Sequence, residues 1–185
     1  EIAGLLDLRG VRRILDVGAG PGTYSVALLQ RAPQARATLL DLPGTLKITR
    51  EVLARRGEPA RRTSLMAADY RRARFGESLY DLVLLSHITH DEGPKVNQRL
   101  IAQAHRALRP GGRIVIHDFM VDETRTEPVF GALFSVHMLA YTEAGRTYTA
   151  GEYNAWLKAV GFKSPSQHPI ARATRNASEI IVAER

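Results

Sequence analysis

The spacing of apolar residues changes along the chain, and each change predicts an element. Val11-Arg12-Arg13-Ile14-Leu15-Asp16-Val17 reads as a short buried strand, and a glycine cluster follows it at once. From Thr23 to Arg31, apolar residues recur at helical spacing (Val26, Ala27, Leu29) and stop before Pro33. Ala37–Asp41 predicts a second strand. Thr45 to Arg56 predicts a second helix with Gly57 as its stop. Ser64–Asp69 reads as a weaker strand, and Asp81–Ser86 as a strong one, apolar on both faces as a central parallel strand must be. A long amphipathic helix is expected from Pro94 to Leu108, ended by Arg109-Pro110-Gly111-Gly112. A strand over Arg113–His117 follows, then helices over Val129–Tyr141 and Ala150–Val160, and a terminal strand Glu179–Ala183.

Strand and helix alternate at least four times, which predicts an α/β fold: a parallel sheet with helices on both faces. Such sheets bind ligands beyond the carboxyl ends of their strands, where strand order reverses. The residues just after each strand therefore carry the chemistry to be read.

Composition narrows the class. With 185 residues, 44% of them apolar and 24% charged, the chain suits one globular domain over residues 1–185, and wholesale disorder is excluded. No apolar run approaches the ~20 residues of a membrane-spanning helix, and the acidic start Glu1-Ile2-Ala3-Gly4 is unlike a signal peptide. The expected location is the cytoplasm, with no membrane partner. The missing initiator Met predicts a piece of a longer protein. With no cysteine there is no disulfide, thiolate zinc site or Cys nucleophile. The net charge of +7 is concentrated in Arg55, Arg56, Arg61, Arg62, Arg71, Arg72 and Arg74. A nucleic-acid surface has this charge, but only Tyr70 and Phe75 are at hand for stacking, so a solvated helix end and loop is the favoured reading.

The first strand end reads Asp16-Val17-Gly18-Ala19-Gly20-Pro21-Gly22. Glycines allow a tight turn and close approach of backbone to ligand. An acid at position 16 repels a pyrophosphate and attracts a cationic ligand. Asp41 closes the second strand, where a carboxylate can accept from both hydroxyls of a ribose. Asp69 closes the third, placed to accept from an adenine amino group while the Tyr70 ring covers the base.

This constellation resembles the class I S-adenosylmethionine-dependent methyltransferases, and more narrowly the catalytic domain of the caffeate, hydroxyindole and polyketide O-methyltransferase family. The matching pieces are Leu15–Gly22, Leu40-Asp41-Leu42-Pro43, Ala68-Asp69-Tyr70, Ser86-His87-Ile88-Thr89-His90-Asp91, Leu108–Arg113, Thr149–Tyr153 and Ala159–Phe162. The resemblance implies a Rossmann-like three-layer sandwich whose seven-stranded, mostly parallel sheet has an antiparallel last strand. It implies S-adenosylmethionine as cofactor, held by Asp16, Gly18, Gly20, Asp41, Leu42, Asp69, Tyr70 and Ser86. His90 becomes the general base for methyl transfer to a hydroxyl of an aromatic small molecule. It further implies an N-terminal, mostly helical dimerisation domain outside this chain, and hence a homodimer of the full-length protein.

His117 and Asp118, ending the fifth strand, and His137 and Tyr141, at helical spacing with Phe134 and Met138, are candidates for contact with the acceptor. Two glutamates that support the family's base align with Thr147 and near Val182. Both supports are therefore expected to be missing here, with Asp91, Glu143 or Asp118 as substitutes. His87, His90, His117 and His137 are the histidines available for a metal, but the carboxylate cluster of metal-dependent catechol-type enzymes does not follow the fourth strand, so no metal is expected. The alternatives are an rRNA or tRNA methyltransferase, a cofactor-binding protein that does not methylate, and a nicotinamide oxidoreductase. Against the nucleic-acid reading, the chain has neither an Asn/Asp-Pro-Pro-Tyr motif nor a cysteine. Against the nicotinamide reading stand the glycine spacing and Asp16.

Overall fold

A computed structural model of the chain describes residues 2–170 and 178–185. The strands are β1 (Arg13–Val17), β2 (Arg36–Asp41), β3 (Thr63–Ala67), β4 (Tyr80–Ser86), β5 (Leu108–Val121), β6 (Tyr148–Thr149), β7 (Lys163–Ile170) and β8 (Ser178–Glu184). Seven of them form one sheet in the order β3-β2-β1-β4-β5-β8-β7, and the two-residue β6 pairs with the far end of β5. The β1, β2, β3, β4 and β5 neighbours run parallel, whereas β8 is antiparallel to both β5 and β7. The chain winds outward from β1 to β3, then restarts on the other side at β4. The switch point is therefore the crevice beyond β1 and β4.

Period-two alternation divides each central strand between two cores. Leu15, Val17, Val83, Leu85, Ile114 and Ile116 face one side, against Leu100, Ile101 and Ala104 of α5 (Pro94–Ala107) and Tyr153 and Leu157 of α7 (Ala150–Ala159). Ile14, Leu82, Leu84 and Val115 face the other, against Val26, Leu28 and Leu29 of α2 (Thr23–Arg31) and Ile2 and Ala3 of α1 (Ile2–Leu5). These are the three layers expected from the pattern. No described helix is long and apolar enough to cross a membrane.

Several boundaries differ from the sequence reading. Helix α3 (Pro43–Ala54) starts earlier than Thr45 because Pro43 is pre-set for the first helical turn. Gly57, with φ of 73°, does not stop α3 but opens the short α4 (Glu58–Arg61). The Pro110-Gly111-Gly112 segment is an irregularity inside β5, between the pairs Tyr80–Leu108 and Leu82–Arg113, and β5 then runs on to Val121. Strand β7 has no apolar alternation and contains Pro165 and Pro169, a sequence tolerated because it lies at the sheet edge and pairs with β8 alone.

Arg62, from the basic cluster, is structural. Its guanidinium donates to the carbonyls of Leu29 (2.8 Å), Ala32 (2.9 Å) and Ala35 (3.0 Å) and pairs with Glu58 (2.9 Å), closing the end of α2. Helix α6 (Val129–Tyr141) is apolar nearly all round yet buries only Gly131 and Met138. Val129, Leu133, Val136 and Leu139 are exposed along it.

Candidate active site

The loop after β1 is shaped by Gly18, Gly20 and Gly22, with φ of 68°, 53° and 76°. A Cβ on Gly18 would run into the Ile88 methyl, and one on Gly22 would stand 2.7 Å from Leu39 Cδ2. Asp41, at the end of β2, straps this loop in place: Oδ2 accepts from Gly20 N (2.8 Å) and Oδ1 from Leu42 N (2.7 Å). Each oxygen keeps lone-pair capacity for a further donor. The Thr49 hydroxyl donates to Gly20 O (2.6 Å) from below. Asp16 is the acid expected beside a cationic ligand. Its side chain lies on the α2 side of the sheet, 1% exposed, and accepts a hydrogen bond from Ser25 Oγ (2.7 Å). Burial pushes its pKa up to about 7 against the opposing Ser25 bond, and the Asp41 charge adds to the rise.

Asp69 lies two residues beyond β3 rather than closing it, and its Oδ1 accepts from Arg71 N (2.9 Å). The Tyr70 hydroxyl donates to Glu92 Oε1 (2.8 Å), and the Arg71 guanidinium binds the same oxygen (2.5 Å). Ser86, at the end of β4, bonds His117 Nδ1 (2.8 Å), and His117 Nε2 meets Ser178 Oγ (3.1 Å). His117 is 3% exposed, and burial with the neighbouring His87 lowers its pKa to about 3, so the ring is neutral. It is a buried link between β4 and β8.

Beyond β4 the chain makes a 3-10 turn, Thr89–Asp91, that carries His90. His90 Nδ1 lies 2.6 Å from Asp118 Oδ1. Asp118 is fully buried, and its other oxygen accepts from Thr89 Oγ1 (2.5 Å) and His90 N (3.2 Å). Burial raises the Asp118 pKa, but the His87, His90 and Thr89 contacts outweigh it and hold the group well below the usual carboxylate range. For His90, burial acts downward, and the bond to Asp118 with the charges of Asp118 and Asp91 lifts the pKa above its ordinary value. Asp118, one of the substitutes offered for the two missing glutamates, thus lies beneath His90 as its carboxylate partner. Glu143 is exposed and Val182 pairs with Val115 in mid-sheet, so neither supplies that support. Thr147 is buried at 2% exposure without a carboxylate.

An aromatic series leads away from His90 along α6. The Phe134 ring meets His90 edge-on at 4.9 Å and Phe119 at 4.8 Å, and Phe130 meets Phe119 at 5.0 Å. His137 and Tyr141 extend it, 4.4 Å apart and exposed. They are thus continuous with His90 through Phe134, which is 5.9 Å from His137.

Donor atoms of His87, His90 and Asp118 lie within 4.8 Å of one another, a grouping that invites a metal. Two ligands of one tetrahedral cation stand roughly 3.3 Å apart, given bonds of ~2.0–2.1 Å. The 2.6 Å between His90 Nδ1 and Asp118 Oδ1 is a hydrogen-bond length, leaving a proton between them and no room for an ion. His87 approaches the same oxygen at 3.7 Å from a left-handed backbone, φ 54°. The geometry is that of an acid–base pair.

Sequence reasoning missed Phe119, Glu92, Asn97 and Ser178. Phe119 and Ser178 are partners in the β5–β8 register, while Glu92 follows the turn after β4 and Asn97 lies in α5, so no single spacing along the chain marks them. His117 and Asp118 are adjacent, so period two sends them to opposite faces: His117 toward Ser86, Asp118 toward His90.

The match to known proteins agrees with this arrangement. The model of an O-methyltransferase domain covers residues 2–163. A 3-hydroxy-5-methyl-1-naphthoate 3-O-methyltransferase of Streptomyces sahachiroi is 38% identical over 164 residues, 87% of this chain and 46% of that protein. An acetylserotonin O-methyltransferase of Gallus gallus is 32% identical over 163 residues, 88% of this chain and 46% of that protein. The crystal structure of an O-methyltransferase family 2 protein from Planctomyces limnophilus in complex with apigenin superposes with a TM-score of 0.87 at 32% identity, covering 99% of this chain and 56% of that one. The chain spans about half the length of the curated relatives it matches. A glycine loop strapped by Asp41, the His90 turn beyond β4 and a family model running from Ile2 to Lys163 lead to one assignment: the chain belongs to the O-methyltransferase domain family, whose methyl donor is S-adenosylmethionine.

Proposed function

We propose that this domain transfers a methyl group from S-adenosylmethionine to a hydroxyl of an aromatic small molecule, with His90 as general base. The observation that carries the reading is the His90 Nδ1–Asp118 Oδ1 bond of 2.6 Å beside the Phe119–Phe134 wall. The bond to a carboxylate keeps the proton on Nδ1 and leaves the Nε2 lone pair free. Nε2 takes the acceptor's hydroxyl proton as the new carbon–oxygen bond forms, and Asp118 stabilises the imidazolium that results. When bound, the cofactor supplies a sulfonium methyl, whose departure leaves a neutral thioether. Phe119, Phe130 and Phe134 hold an aromatic ring by stacking and exclude water.

The cradle suits this cofactor. The loop from Gly18 to Gly22 presents backbone and no cationic side chain, Asp41 retains acceptor capacity for a ribose diol, and Asp16 is a buried acid whose ionised form a nearby cation stabilises. Asp69, Tyr70 and Ser86 complete the assignment on the adenosyl side. The relatives' names, a hydroxynaphthoate and acetylserotonin, support an aromatic acceptor. His137 and Tyr141 form the outer rim of its site. The exposed apolar face of α6, with Leu133 and Val136 each at 65% exposure, is assigned to packing against the further, dimer-forming part of a longer protein. A cytoplasmic setting belongs to the same reading.

The test is calorimetric titration with S-adenosylhomocysteine, with NAD as control, repeated on Asp41→Ala. Binding of the first alone, weakened in the variant, supports the reading, and screening of phenolic acceptors against His90→Ala then tests the base. Binding of NAD alone overturns it.

A further inference from the structure

Glu92 has no part in the chemistry above, yet it is a carboxylate at 5% exposure one residue past the base turn. Its Oε1 receives both the Tyr70 hydroxyl (2.8 Å) and the Arg71 guanidinium (2.5 Å) from the segment after β3. Its backbone is held just as closely. The Glu92 carbonyl accepts from the Tyr148 hydroxyl and from Asn97 Nδ2 (3.2 Å), while the same amide nitrogen donates to Thr89 O (2.9 Å), bracketing the turn of His90 from α5. Asn97 is itself fully buried. Four segments therefore meet at one residue: the Asp69–Tyr70–Arg71 loop, the base turn, α5 and β6.

We infer that Glu92 is a positioning residue that locks the cofactor-side loop to the turn bearing His90, so that holding the cofactor and aligning the base are coupled. This rests on the function proposed above. A buried carboxylate must be paired. A surface lysine or arginine alone would suffice for that, and the Arg71 side chain is half exposed. The Tyr70 hydroxyl is the informative partner. It fixes the ring that is to lie against the adenine, and that ring would otherwise have to be ordered when the cofactor binds. Arg71 N in turn donates to Asp69 Oδ1, so the same clamp sets the direction of the Asp69 carboxylate. On the other side, Glu92 N closes the 3-10 turn onto Thr89 O (3.3 Å), and Thr89 Oγ1 reaches Asp118. The path from Tyr70 to the His90–Asp118 pair thus runs through three hydrogen bonds joined by the covalent frames of Glu92 and Thr89.

The experiment compares the wild type with Glu92→Gln, Tyr70→Phe and their double variant in S-adenosylhomocysteine titrations and in steady-state methyl transfer. Ordering one freed side chain on binding weakens the cofactor about two- to tenfold. Glu92→Gln and Tyr70→Phe should each show that rise in Kd, and the double variant no more than the larger single effect, since the first weakens and the second removes the same Tyr70–Glu92 contact. Glu92→Gln should also lower kcat, whereas Tyr70→Phe should act on the KM for the cofactor. A lower melting temperature in Glu92→Gln with Kd, KM and kcat all within twofold of the wild type would overturn the inference, as would fully additive losses. If Glu92→Gln does not fold, Arg71→Ala alters a half-exposed side chain on the same oxygen and must raise Kd in the same direction, or the inference fails. Failure of the wild type itself to bind S-adenosylhomocysteine would count against the proposed function, a result distinct from any of these.

Discussion

Asp16→Asn gives a prediction whose size follows from the structure. The carboxyl is 1% exposed, with Ser25 Oγ as its hydrogen-bond partner among the described residues, and burial lifts its pKa from 3.8 to about 7. A raised carboxylate pKa means that the folded state binds the proton more tightly than the unfolded chain. Stability is therefore lost as pH rises from 3.8 toward 7, with the full penalty present above that. A shift of about three pH units corresponds to about 4 kcal/mol. Asparagine has the shape of the protonated acid and carries no such penalty. The variant should match the wild type near pH 4, gain about 1.4 kcal/mol per pH unit above that, and level off at about 4 kcal/mol beyond pH 7. Urea denaturation of both proteins from pH 4 to 8.5 measures this difference directly. Contributions common to both, such as that of His90, cancel in the comparison. His90 has a raised pKa, so its contribution is present below its unfolded pKa of 6.5 and lost as pH climbs through the folded value. The cofactor's positive charge favours ionised Asp16, so the more stable variant should bind S-adenosylhomocysteine nearly as well as the wild type but S-adenosylmethionine less well at pH 8. A constant stability gap across the pH range, or a variant less stable at pH 8, would refute the reasoning.

Four further outcomes follow from individual positions. Asp118→Asn should lower kcat by about a hundredfold or more with cofactor affinity unchanged. It should also move the acid limb of the kcat/KM profile to lower pH, because burial then acts on His90 without the opposing carboxylate; a limb that stays in place would rule out the pairing. Gly18→Ala meets the Ile88 methyl at a φ of +68° and should weaken S-adenosylhomocysteine binding at least about tenfold, at a strain of roughly 1–3 kcal/mol. Gly44→Ala, in open space on α3, should instead stabilise the fold by about 0.5–1 kcal/mol in thermal melts. Arg62→Ala strips the donor from three carbonyls at the end of α2 and should cost about 2–4 kcal/mol in urea titrations while leaving cofactor binding intact.

The local pattern determined a good deal by itself. Runs such as Leu82-Val83-Leu84-Leu85 can be satisfied only by burial on both faces, so the central strands and the alternating α/β order were readable without any contact. Gly18, Gly20 and Gly22 predicted a tight turn after β1, and the structure makes it with left-handed backbone at all three. Strand β7 was invisible because an edge strand with two prolines carries no period-two signal; its pairing is decided by β8 alone. The side chains at the strand ends were found as residues, but their partners within the fold were not. Asp16 turns under α2 to Ser25, while His117 and Asp118, neighbours in sequence, point to opposite faces of the sheet. Asp118 meets His90 across 28 positions of sequence, and Glu92 meets Tyr70 across 22. Spacing along the chain records which residues share a face. Which carboxylate lies beneath which histidine depends on the register between β4 and β5 and on what the packed layers bury, and tertiary structure alone decides that.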